Sequence, residues 1–357
     1  MAGRKVPADR TDPAPDRVTR RGVVDIVQAA AELRTLRDCL RYACSRFEAA
    51  GLSYGQGTDS AWDEAAWLGL WSLHLPPDSL EPFLDARLTL AERQGLLELI
   101  ERRCAERLPA AYLTGEAWLR GLRFRCDRRA IIPRSLIAEA LQESLEDWLG
   151  SDAPDAVLDL CTGGGSLAIA AALRFPQARV DAADLSEQAL ALASENVADY
   201  ALGDRVSLHR GDLFEPLAGR RYALILCNPP YVNEGSMRSL PPEFLAEPRG
   251  ALTGGDDGMD LVRRILTDAP DHLREHGLLL LEIGHEAAHF EAAFPRLEFA
   301  YLPVSAGDRQ LVLLSREQLS TDALANPTPR SRPRARSRAA VDRTARPARR
   351  TARKPRR

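Results

Sequence analysis

The sequence predicts an α/β protein: a doubly wound, mostly parallel sheet of seven strands, preceded by a small all-helical domain and followed by a basic tail. Three observations carry this. From residue 155 to about residue 315, short apolar runs alternate with stretches of helical periodicity, as βαβ units require. Between residues 23 and 108 the apolar spacing is helical throughout. Beyond Leu319 periodicity stops, and Arg, Pro, Ala, Ser and Thr dominate.

Taken in order, residues 1–22 are rich in Pro, Arg and Asp and are expected to be disordered. Val27, Ala31, Leu33, Leu36, Leu40, Ala43 and Phe47 predict one helix from Val23 to about Ala50, closed by Gly51 as its cap. The glycines of the next stretch predict a loop, with Asp59 or Ser60 capping a helix over Ala61–Leu73. A further helix is expected over about Leu88–Arg107. Trp62, Trp67 and Trp71 recur at helical spacing, which reads as core packing rather than a ligand box. Two strand-like runs then flank Arg120-Gly121, a hairpin signal. After Ile131-Ile132-Pro133-Arg134-Ser135 a helix is expected over Leu136–Leu149. The division is a disordered start (1–22), a helical domain (23–110), a hairpin linker (111–135), the α/β domain (136–319) and a disordered tail (320–357).

Within the α/β domain, strands are expected at Ala156–Leu160, Arg179–Ala183, Val206–His209, Tyr222–Cys227, Leu278–Ile283, Glu298–Pro303 and Gln310–Leu314. Helices fit at Ser166–Arg174, Ser186–Tyr200, Gly258–Leu273 and His285–Phe294. The last two strands are joined by a short connection, so they should form an antiparallel hairpin at the sheet edge.

Composition narrows the class. No apolar run approaches the roughly 18 residues that cross a bilayer, and the start lacks the apolar core of a secretory signal. The six cysteines show no CxxC spacing and read as reduced thiols of a cytoplasmic protein, with no metal site. The net charge of −3 hides an asymmetry. From Ser320 to Arg357 there are 13 Lys/Arg and two acids, a tail of +11, which leaves −14 for the body.

The chemistry-bearing residues all fall at expected strand ends, where open α/β sheets bind ligands. The strand Tyr222–Cys227 runs into Asn228-Pro229-Pro230-Tyr231. Two prolines make a rigid turn and leave carbonyls without local donors. Such a corner suits a planar NH2 group, with two acceptors for its hydrogens and an aromatic ring over its face. Upstream, Asp159-Leu160-Cys161-Thr162-Gly163-Gly164-Gly165 opens a helix. Neither a P-loop nor a GxGxxG fingerprint is present, so a smaller carboxylate-bearing ligand fits better than a pyrophosphate. Asp184, about 20 residues on, can accept both hydroxyls of a ribose, and Asp212 can pair with an exocyclic adenine amine. His285-Glu286-Ala287-Ala288-His289 matches HExxH, but no third His follows and the segment opens a helix that the sheet needs, so it reads as a coincidental match.

This order of motifs resembles the class I S-adenosylmethionine-dependent methyltransferases over about residues 155–315. The resemblance implies a Rossmann-like seven-stranded methyltransferase sheet and S-adenosyl-L-methionine as cofactor, held by Asp159, Cys161, Thr162, Gly163, Gly165, Asp184, Asp212 and Asn228. The loop departs from the common Gly-x-Gly at Cys161. Asn-Pro-Pro-Tyr resembles the subset that methylates planar nitrogens, in adenines or in protein glutamines. The linker motifs Tyr112-Leu113-Thr114-Gly115-Glu116 and Ile132-Pro133-Arg134-Ser135 are similar to the protein-glutamine branch, which acts on release factors and on ribosomal protein L-three. The stretch from Leu36-Arg37-Asp38 through Tyr54-Gly55-Gln56-Gly57-Thr58-Asp59 to Ala61-Trp62-Asp63-Glu64-Ala65 looks like its ribosomal-protein members, and the likeness then spans about residues 33–316. It implies catalysis by Asn228, Pro229 and Tyr231, without a catalytic His. Substrate contacts are implied for Asn228, Pro229, Pro230, Tyr231 and Arg134, and substrate recognition for the helical domain. Release-factor methylation, adenine methylation of nucleic acid and a non-enzymatic assembly factor are the alternatives. The −14 body disfavours a nucleic-acid groove, while the tail suits ribosomal RNA phosphates.

Overall fold

The computed structural model describes residues 25–149, 153–319 and 324. The expected disordered segments 1–22 and 320–357 lie outside the described residues, Leu324 apart. Strands β1 (Glu116–Leu119) and β2 (Leu122–Arg125) form an antiparallel hairpin through Arg120-Gly121. One larger sheet holds β3 (Ala156–Leu160), β4 (Arg179–Asp184), β5 (Val206–Arg210), β6 (Tyr222–Cys227), β7 (Leu273–Glu282), β8 (Ala300–Val304) and β9 (Gly307–Ser315). Its order is β5-β4-β3-β6-β7-β9-β8. Neighbours from β5 to β7 are parallel, and β9 runs antiparallel between β7 and β8. The expected seven-stranded doubly wound sheet and its edge hairpin are both present. The chain winds from β3 outward to β5, then returns to β6 beside β3. That reversal leaves a crevice at the carboxyl ends of β3 and β6.

Both faces are covered. Helix Ser166–Arg174 buries Leu167, Ala168, Ile169, Ala171 and Ala172 on one side. Helix Asp260–His272 presents Val262, Ile265, Leu266 and Ala269, a helical stripe, to the other. The buried strands β3 and β6 read as near-continuous apolar runs because both their faces are covered.

The helical unit differs from expectation in two places, the first helix and Trp62. The long first helix is two, Ile26–Glu32 and Leu36–Ala50. Thr35 restarts it with a capping box: its Oγ1 accepts from the Asp38 N–H, and Asp38 accepts from the Thr35 N–H at 2.9 Å. Of the two expected caps, Ser60 is the one that caps helix Ala61–Ser72. The expected core role of Trp62 is not met: it is 40% exposed, because it sits in the helix's first turn, beyond the packing partners of Ala65 and Leu68. Trp67 is half-buried, and with Trp62 and Trp118 it borders a cavity of about 340 Å³ between the helical unit and the hairpin. Farther on, the helix expected over Leu136–Leu149 breaks into Ile137–Glu143 and Glu146–Leu149. Among the described residues, no helix is long and apolar enough to cross a membrane.

Candidate active site

The crevice between β3 and β6 is where the two informative loops meet. Residues Asn228–Tyr231 leave β6, and Cys161–Gly165 leave β3. Leu160 and Cys227 are register partners, so the two loops start side by side. Asn228 is half-buried, Pro229 is buried, and Pro230 and Tyr231 are half-buried. The Asn228 carboxamide makes no hydrogen bond among the described residues, so its oxygen is free to accept.

Tyr231 is held from three sides. Its hydroxyl donates to Glu282 Oε1 at 3.2 Å. Glu282, at the end of β7, also takes the Ser135 hydroxyl at 2.5 Å and the Leu136 N–H at 3.0 Å on its other oxygen. Burial pushes the Glu282 carboxyl above its ordinary range, and these donors and Arg134 pull it back only partly. Burial likewise pushes the Tyr231 phenol upward, so it remains a hydroxyl. Around the ring, Gly284 and Gly258 have positive φ (52° and 79°). A Cβ on Gly284 would lie 2.5 Å from Tyr231 Cε2, and one on Gly258 would overlap the Tyr231 carbonyl oxygen.

Arg134 does come to this corner, but its guanidinium is already engaged. It forms a bidentate pair with buried Glu247, with Nη2 at 2.7 Å from Oε2, and lies over the Phe244 ring. The expected contact with a substrate or cofactor carboxylate would fall to the guanidinium N–H groups that Glu247 leaves over. Next to this pair, Met237, Leu245, Leu252 and Glu247 line a cavity of about 410 Å³.

On the β3 side, Asp159 is fully buried. Its Oδ2 accepts from Thr162 Oγ1 at 2.5 Å and the Ala168 N–H at 2.9 Å, which fixes the glycine loop onto its helix. Its Oδ1 has no partner among the described residues. Cys161 adopts φ 63°, the left-handed conformation that glycine takes easily, so the loop turns at Cys161 despite its side chain. Asp184, at the end of β4, accepts from the Gly163 N–H at 2.9 Å and the Ser186 N–H at 2.8 Å. Burial raises its carboxyl, and these N–H donors oppose the shift. Each of its oxygens keeps a lone pair for a diol. Asp212 lies past β5, more exposed, with Oδ2 2.8 Å from Arg264 Nη2. Gly163 and Gly165 have positive φ, and a Cβ on Gly165 would press on Ala193 at 3.1 Å. The loop thus packs close to helix Glu187–Asp199, as a cradle for a nucleoside ligand would.

Asp159 gives a pH test. Burial pushes its carboxyl up to about 7, against weaker pulls from Thr162 and Ala168. The folded protein therefore keeps a proton that the unfolded chain has lost, and stability falls as pH rises from about 4 to about 7. Asp159→Asn should remove that loss, worth at most about 4 kcal/mol. Urea midpoints of both proteins across this range would show the variant gaining on the wild type as pH rises. Parallel curves would contradict the buried, proton-holding carboxyl.

The HExxH segment has another use. Glu286 accepts from Asn233 Nδ2 at 2.6 Å and pairs with His289. Asn233 in turn caps the short helix that follows the Asn228–Tyr231 corner. Among the described residues, no group of three or more His, Cys, Asp or Glu is placed to hold a metal ion. Sequence reasoning missed Glu247, Glu282, Gly258 and Gly284. Their signal was faint: an acid at the end of an apolar strand, and glycines without a turn signature.

The methyltransferase small domain family matches residues 136–257. A ribosomal protein uL3 glutamine methyltransferase of Bordetella pertussis is 58% identical over 291 residues, covering 81% of this chain and 98% of its own. One of Burkholderia pseudomallei is 51% identical, covering 80% of this chain and 96% of its own. Among solved structures, a methyltransferase from Pyrococcus furiosus aligns at a TM-score of 0.42 and 17% identity, over 56% of this chain and 90% of its own.

Proposed function

The chain belongs to the family of ribosomal protein uL3 glutamine methyltransferases, and from that premise we propose that the Asn228–Tyr231 corner methylates a glutamine side-chain amide of ribosomal protein uL3, with S-adenosylmethionine as the methyl donor. The observation that carries this is the half-buried Asn228 carboxamide without a partner among the described residues, beside a glycine cradle at the β3/β6 crevice. The cradle fits the donor. Asp184 would take the ribose hydroxyls and Asp212, through its free oxygen, the adenine amine. Thr162, Gly163 and Gly165 spend their N–H groups on the Ala183 carbonyl, Asp184 and the Thr162 carbonyl, so the Cys161 and Gly164 N–H groups would receive the carboxylate. When bound, that donor supplies an electrophilic methyl on a sulfonium.

The protein's own task is to make an amide nitrogen nucleophilic in one direction. An amide lone pair is delocalised, so the nitrogen attacks poorly unless it is held. Asn228 Oδ1 and the Pro229 carbonyl accept its two hydrogens, and the Tyr231 ring packs on the amide plane. This holds the lone pair in line with the methyl, and such orientation supplies up to about 7 kcal/mol or more of barrier reduction. As the methyl leaves sulfur, the positive charge passes to the amide nitrogen; its N–H is then so acidic that water takes the proton, so no strong base is needed and no histidine is assigned to the reaction. The helical unit at 23–110 recognises the ribosomal protein. The Arg-rich tail grips ribosomal RNA through phosphates, and the enzyme works in the cytoplasm with its substrate. Deleting residues 320–357 should weaken RNA binding and flatten its salt dependence; unchanged RNA binding would remove that role.

The acceptor class is tested by incubating the protein with methyl-labelled donor and offering uL3, a release factor, DNA or RNA in turn. Label on uL3 is expected. Label on the release factor alone, on nucleic acid, or on nothing would each overturn the reading.

A further inference from the structure

The segment 233–253 follows the Asn228–Tyr231 corner and comes back to it at Thr253-Gly254. It is pinned at its base: the Val232 N–H donates to the Leu252 carbonyl at 2.8 Å, and the Gly254 N–H to the Val232 carbonyl at 2.9 Å. In its middle, the short helix Pro242–Leu245 carries Glu243, whose side chain is fully buried. Among the described residues, every hydrogen-bond partner of the Glu243 carboxylate comes from the helical unit. Arg107 Nη2 lies 2.9 Å away, the Ser53 N–H 3.3 Å and Arg103 Nη1 3.5 Å. The Glu243 carbonyl also accepts from Gln56 Nε2 at 3.3 Å. Arg103 is itself 1% exposed, and its Nε is 2.7 Å from Glu64 Oε1. The opposite side of the same short segment faces the active site. Phe244 lies under the Arg134 guanidinium, and Glu247 holds both Arg134 and the Ile132 N–H.

A buried carboxylate shared between two parts of a chain is a poor glue, because desolvation offsets most of the attraction. What it does provide is a fixed register, since any slip leaves a charge buried and unpaired. We propose that Glu243 is a positioning residue for methyl transfer: by pairing with Arg103 and Arg107 it locks the wall of the acceptor corner to the helical unit. On the proposed glutamine methyltransferase activity, this makes the corner at Tyr231 and Glu247 correctly shaped only while the helical unit is docked. Substrate held by that unit and the amide held by Asn228 then share one rigid frame.

The test uses the full chain with Glu243→Gln, which keeps the shape and removes the charge. Three readouts separate positioning from plain stability. Donor affinity should stay within about twofold, while kcat/KM for uL3 falls about tenfold. Amide exchange at Val232 and Gly254 should rise about tenfold, while amides of β3 and β6 keep their protection. Exchange that rises equally in β3 and β6 would make the cluster a global stability contact and overturn the proposal. So would unchanged exchange at Val232 and Gly254. Arg107→Met, at a half-buried position, should move the same readouts less, and it serves if Glu243→Gln does not fold. The exchange readout needs no substrate. If the wild type transfers no methyl to uL3, the functional reading fails, while exchange still decides the role of Glu243.

Discussion

Asn228→Ala should lower kcat by about 10²–10³-fold, the range seen when one preorganised polar partner of a transition state is removed, while donor affinity stays near wild type. The carboxamide sits at the end of β6 with no partner among the described residues, so truncating it breaks no internal hydrogen bond and should barely change stability. Its neighbours Pro229 and Pro230 hold the backbone whatever the side chain, so the turn survives. What is lost is one of the two acceptors that aim the amide nitrogen. The donor's contacts, by contrast, lie with Asp184, Asp212 and the glycine loop. Equilibrium titration with the donor and single-turnover transfer to uL3 would check this. A variant within about tenfold of the wild-type rate would mean that another group orients the amide.

Gly284→Ala should cost at least about 10²-fold in transfer, because a misplacement of about 1 Å at the reacting groups carries that penalty. The added methyl would lie 2.5 Å from Tyr231 Cε2, in a residue whose φ is 52°. Either the ring moves off its hydrogen bond to Glu282, or β7 shifts at its carboxyl end. The left-handed backbone alone costs about 1–2 kcal/mol for a non-glycine residue, and the overlap adds about 1–3 kcal/mol more. A lowered melting temperature together with a collapsed rate is therefore expected. Tyr231→Phe is the control: it keeps the ring but frees Glu282, and should cost less in rate than Gly284→Ala. If Gly284→Ala destabilises the fold yet leaves transfer near normal, the tight seat of Tyr231 has no role in catalysis.

Much of the fold was legible because βαβ units write two periods into one stretch. β3 and β6 are apolar runs ended by Cys161 and Asn228, and both sit where the sequence puts them. The first helix was misread as continuous because Thr35-Leu36-Arg37-Asp38 caps with Asp where Glu is the usual signature. β7 starts at Leu273, whereas the sequence puts its start at Leu278, because Arg274, Glu275 and His276 hide the strand's first half from an apolar pattern. At the site, strand-end acids and the Asn-Pro-Pro-Tyr turn could be read because their chemistry is local. Glu282 and Glu247 could not, since each matters only through partners about a hundred residues or more away, Ser135 and Arg134. The same holds for Glu243, whose partners lie in residues 53–107.

The most direct measurement is the position of the new methyl group. Purified protein, methyl donor and unmodified uL3 are combined, and the product is fragmented by tandem mass spectrometry. The methyl group should lie on the side-chain nitrogen of a glutamine in uL3, and the Asn228→Ala reaction should lack it. A methyl on any other atom of uL3, or a uL3 left unmodified by the wild-type protein, would contradict the glutamine chemistry assigned to this corner.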